Sequence, residues 1–141
     1  MSTTIIPDKE MKAPAISSLG YADSFYKTFQ RSLCEEESRF DNDLLYNLAV
    51  MCIEKYFVAL LARYDWNATH HMPVSLYREA LQFESELTDT MKQTSILVGK
   101  FEAICSLDGF GYHTPTIEEL KSMSTGIYEI KELVIKRIAE I

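Results

Sequence analysis

A chain of 141 residues has the length of one ordinary domain, and 47% hydrophobic with 25% charged residues is globular composition, which argues against a disordered or fibrous chain. Five Gly and four Pro are too few for the closely spaced turns of a β-sandwich or barrel. The formal charge is −7 and no basic run exceeds Lys136-Arg137, so the basic patch that drives non-specific DNA binding is missing.

Residues 1–15 carry Pro7 and Pro14 and show no apolar period, which predicts a flexible tail ahead of one helical domain over 16–141. The first helix is expected from about Ser18 to Ser38, on the stripe Leu19, Ala22, Phe25 or Tyr26, Phe29 and Leu33. The acidic tract Glu35-Glu36-Glu37 opposes the helix dipole there, so it is either a solvated face or the mark of an earlier end.

A second helix spans about Asp41 to Tyr64, with Asp41 or Asn42 as cap. It is apolar almost all round, as the central helix of a bundle would be, with Asn47, Glu54 and Lys55 as interruptions. Residues 65–72, DWNATHHM, read as a loop. Pro73 opens a third helix that can be threaded as far as Leu107. At ~50 Å it would outrun its ~36 Å neighbour, so a break is expected near Glu86–Thr90, with Thr90 and Gln93 as a capping box. Gly109 and Gly111 mark the next loop. Thr116 with Glu119 caps a last helix carrying Leu120, Met123, Ile127, Ile130, Val134 and Ile138 on one stripe. The expected fold is all-α, an up-and-down bundle of four to five helices.

Cys34, Cys52 and Cys105 are odd in number, lack a C-x-x-C pair and sit in apolar patterns. They read as small buried hydrophobes in a reducing compartment. The N-terminus lacks a signal-peptide core, and no stretch is read as the ~20 apolar residues of a membrane span. A cytoplasmic location without membrane contact is the expectation.

Arg63 and His70 are the candidate catalytic residues, a guanidinium for phosphate and an imidazole for proton transfer, as metal-free RNA cleavage requires. The structural alternative is Arg63 satisfying a helix dipole and His70 simply solvated. Trp66, His71, Tyr112 and His113 are candidate ligand-binding residues. If the third helix breaks, loops 65–72 and 108–115 are expected at one end of the bundle, where these residues and His70 would line one cleft. A metal site from His70, His71 and His113 is disfavoured by their spacing, and no metal or cofactor is expected.

The run Asn47 to Arg63, with Ala49, Glu54 and Lys55 at its core and His70 or His71 in the following loop, resembles the second helix of HEPN domains (higher eukaryotes and prokaryotes nucleotide-binding). Gly111-Tyr112-His113-Thr114-Pro115 ahead of the last helix is similar to that family's tyrosine-and-proline turn, and the resemblance covers about residues 18–138. It implies a bundle of four or five helices that often forms homodimers. Members include nucleotide binders, partners of nucleotidyltransferase domains and toxin ribonucleases. In the nucleases an Arg and a polar residue precede a His; here Arg63 and His70 have permitted spacing, but Tyr64 replaces the polar residue. The expected function is therefore a non-catalytic, homodimeric interaction module associated with nucleotide or RNA processing. The alternatives are a metal-free ribonuclease using Arg63 and His70, and a nucleotide or small-ligand binder at the loops.

Overall fold

A computed structural model describes residues 9–35, 40–105 and 114–140. The elements are α1 (Lys9–Cys34), α2 (Asn42–Arg63), α3 (Pro73–Leu81), α4 (Asp89–Cys105) and α5 (Ile117–Ala139). The protein is all-α, with no strand among the described residues.

The first helix starts at Lys9, well before Ser18, so residues 9–15 are helical. Pro14 lies inside α1, where it removes one backbone hydrogen bond and its ring crowds the carbonyl one turn earlier. Ala15 beside it is fully buried and extends the stripe of Ala22, Tyr26 and Phe29. The other end comes early, at Cys34, where the three glutamates begin. Cys34 is exposed, against expectation, because it falls on the last turn of the helix, beyond the end of the buried stripe; Cys52 is buried as expected.

Asp41 caps α2, its Oδ1 accepting from the Leu44 amide at 2.9 Å. Ile53, Tyr56, Phe57, Leu60 and Leu61 of this helix have no exposed surface. By length and composition α2 is apolar enough to cross a membrane, contrary to the sequence reading; here 56% of its most apolar window is buried by the other helices. It packs chiefly against α1, α5 and α3.

The third helix is broken over 82–88. Thr88, rather than Thr90 with Gln93, caps the restart: its Oγ1 accepts from the Met91 amide at 3.2 Å. Thr90 lies one residue inside α4, and its carbonyl accepts from Thr94 Oγ1. The Thr116–Glu119 capping box on α5 forms as expected, with reciprocal bonds of 3.1 and 3.0 Å. Its stripe from Leu120 to Ile138 is buried.

Paired contacts give the chain directions. Tyr46 Oη donates to the Val98 carbonyl and its ring meets Phe101, so α4 runs antiparallel to α2. Asn42 bonds to the Pro115 carbonyl, and Arg63 to that of Arg137, so α5 runs parallel to α2. The long helices α1, α2, α4 and α5 thus alternate up and down. The short α3 is the exception. Residues 65–72 fold back along α2 until His71 lies 3.7 Å from Glu54. From there α3 climbs parallel to α2, Tyr77 meeting Phe57 and Phe83 stacking on Tyr64.

The break therefore does not bring Trp66 to the end of the bundle where Thr114 and Pro115 lie. Thr114 and Pro115, flanking the second loop, bond to Asp43 and Asn42. Trp66 follows the other end of α2, 22 residues and ~33 Å away. The shared cleft expected for Trp66, His70, His71, Tyr112 and His113 has no support in this topology. Tyr112 and His113 themselves lie outside the described residues.

Candidate functional site

The polar chemistry gathers where α2 ends. Tyr64 caps the helix, and Asp65 takes a positive φ of 60°. The Asp65 and Trp66 amides bond back to the Ala62 and Leu61 carbonyls, the crossed pair of a Schellman turn. Glycine is usual at that left-handed position, so Asp65 carries strain there, and its Oδ1 is buried without a hydrogen-bond partner.

The turn sends residues 66–70 across α3, where their donors converge on Glu79. This residue is only 5% exposed. Its carboxylate accepts from Trp66 Nε1 at 2.8 Å, from the Thr69 amide at 3.0 Å and from Thr69 Oγ1 at 2.9 Å. His70 Nδ1 completes the set. Burial pushes the Glu79 pKa up, but the donors from Trp66, His70 and Thr69 outweigh burial and lower it to about 2. An ionised carboxylate accepts only, so His70 donates to it from Nδ1.

A second cluster adjoins it. Arg137 of α5 forks onto Glu84, which is 2% exposed, with contacts of 2.6 and 2.9 Å. Tyr64 Oη and the Glu86 amide also donate to Glu84, at 2.8 and 3.0 Å. Glu86 and Glu140 engage the rest of the guanidinium. Hydrogen bonding to Glu84 holds the Arg137 pKa above its ordinary value. Phe83 lies between Tyr64 and Trp66, tying the clusters together.

The sequence-predicted residues divide between these clusters. His70 joins Glu79, its side chain 55% exposed. Trp66 joins the same carboxylate, while His71 stands 86% exposed beside Glu54. Arg63 goes elsewhere: its Nε donates to the Arg137 carbonyl at 3.3 Å, and its guanidinium lies 5.0 Å from the Tyr64 ring centre. It thus satisfies the C-terminal end of α5, and no hydrogen bond links it to His70 among the described residues. The cation that shares a cleft with His70 is Arg78, together with Ser75, Glu79 and Gln82, in a hollow of about 210 Å³. An imidazole oriented by a carboxylate, beside a guanidinium, can hold an anion and move a proton. Among the described residues no three His, Cys, Asp or Glu side chains converge as metal ligands.

Glu79 and Arg78 were not singled out from the sequence. The available signal was the loop, whose Trp, Thr and His donors need an acceptor, and Glu79 is the carboxylate on the next helix.

The chain matches no family model, no curated protein and no solved structure.

Proposed function

We propose that the chain is a HEPN-like helical interaction module, non-catalytic, that pairs with a second copy of itself through α2 and serves nucleotide or RNA processing. The observation that supports the pairing is a stripe on the central helix that its own bundle covers only in part. Leu44 is 42% and Met51 40% exposed, Asn47 is exposed, and Leu48, Lys55 and Val58 are half-buried. Their spacing of three and four residues puts them on one face. An antiparallel two-fold crossing centred on Met51 sets Leu44 of one copy against Val58 of the other, and Asn47 against Lys55. Such a face is complementary to itself, as an isologous dimer requires. Among the described residues Lys55 makes no ion pair, and that crossing gives its ammonium an amide oxygen. Sedimentation equilibrium should return twice the chain mass, and Met51→Lys should return the monomer with the helical spectrum intact. A wild-type monomer, or a dimer that Met51→Lys leaves unchanged, refutes the pairing.

The His70–Glu79 pair favours a second reading, a metal-free ribonuclease with His70 as proton carrier. Arg63 is then a scaffold residue, and Arg78 the anion holder. Cleavage of structured RNA in chelator should be abolished by His70→Ala and Arg78→Ala and retained in Arg63→Lys; absence of cleavage by the wild type removes this reading.

A further inference from the structure

The outer side of α3 and α4 carries a second cleft, which shares Arg78 with the His70 hollow but none of its other lining residues. Val74, Tyr77 and Leu81 of α3 and Ile96 of α4 give it apolar walls, with Arg78 and Lys92 on its lining and a volume of about 310 Å³. Gly99 of α4 faces Val74, and a Cβ there would meet Val74 Cγ2 at 3.5 Å, an ordinary contact. Leu81 is 51% and Ile96 40% exposed, so both leave apolar surface in water that no part of the described chain covers. The lining includes no carboxylate. Among the described residues the Arg78 and Lys92 side chains make no ion pair or hydrogen bond, Asp89 one turn before Lys92 included. Two unpaired cations over an apolar hollow are a specific combination in a chain of net charge −7.

We propose that this cleft binds a single-chain amphiphile with an anionic head group. The chain would lie on Val74, Leu81 and Ile96, and the head would meet Arg78 and Lys92. A guanidinium fork matches a carboxylate or a phosphate equally well, and a point-charge ammonium adds to either. The volume lies at the low end for ligand pockets, roughly 300–1,000 Å³, which suits one chain of medium length and excludes a two-chain lipid. The binding is independent of pairing through α2, since the cleft belongs to α3 and α4.

The test is calorimetric titration of the full chain with decanoate and with decyl phosphate below their micelle concentrations, mapped by amide chemical shifts. Saturable binding of at least one, with shifts confined to α3 and α4, is expected, and the preference between them identifies the head group. Decanol and decyltrimethylammonium should bind at least about tenfold more weakly, and acetate and inorganic phosphate not measurably. Arg78→Gln and Lys92→Gln should each weaken the anion about tenfold without altering thermal unfolding, because both side chains are exposed. Failure of both anions to bind overturns the proposal. So does binding of decanol as tight as decanoate, of inorganic phosphate as tight as decyl phosphate, or wild-type affinity in both variants.

Discussion

Replacing Glu79 with Gln tests the polar end of the bundle most sharply. The wild-type carboxylate holds donors from Trp66, Thr69 and His70 at 5% exposure. Gln keeps the shape but loses the charge and turns one acceptor into a donor facing other donors. A hydrogen bond to a charged group contributes about 1.5–3 kcal/mol, and a buried group left unsatisfied costs about 1–3 kcal/mol. Trp66, Thr69 and His70 are exposed residues that water can reach in part, so the losses do not sum. A destabilisation of about 2 kcal/mol at pH 7 is expected. The pH dependence carries a sign. The folded pKa, about 2, lies below the ordinary 4.5. Glu79 therefore contributes stability that is complete above pH 4.5 and fades as the pH falls towards 2. The gap between wild type and Glu79→Gln should close over that window. Urea unfolding followed by fluorescence of Trp66, the sole tryptophan, measures both. A penalty under about 0.5 kcal/mol at neutral pH, or a gap that persists in acid, would show that the cluster does not hold the charge as described.

Further substitutions probe the other contacts. A Cβ on Gly126 would lie 1.8 Å from Thr94 Oγ1, so Gly126→Ala should force α4 from α5 and cost about 2–3 kcal/mol, partly recovered by Thr94→Ala in a double-mutant cycle. Asp65→Gly relieves the left-handed strain and removes the unpartnered Oδ1; its urea midpoint should rise by about 1 kcal/mol equivalent at unchanged slope. Arg137→Gln leaves Glu84 buried without its cation, and chemical denaturation should show a loss of about 3 kcal/mol.

Where local chemistry decided the structure, the sequence could be read. The caps at Asp41 and Thr116, the apolar α2 and the stripe of α5 each rest on residues within a few positions of one another. Non-local competition was not legible. Two prolines near the N-terminus signal irregular chain, yet the helix runs through Pro14 and buries Ala15 in the bundle. The return of residues 65–72 along α2 depends on Glu79 gathering their donors, which no periodicity records. The same return dissolves the expected cleft between two loops and gives His70 the carboxylate of α3 as its partner. Arg63 bonds to the end of α5, a neighbouring helix, which no spacing within α2 records.

Pairing through the central helix is tested most directly by a cysteine at its centre. In a Cys34→Ser background, Met51→Cys should form a disulfide-linked dimer under mild oxidation, because a two-fold axis at that residue brings the two thiols together. A Leu81→Cys control, on α3, should stay monomeric. A Met51→Cys protein that remains a monomer, or links no faster than the control, would contradict self-association through α2.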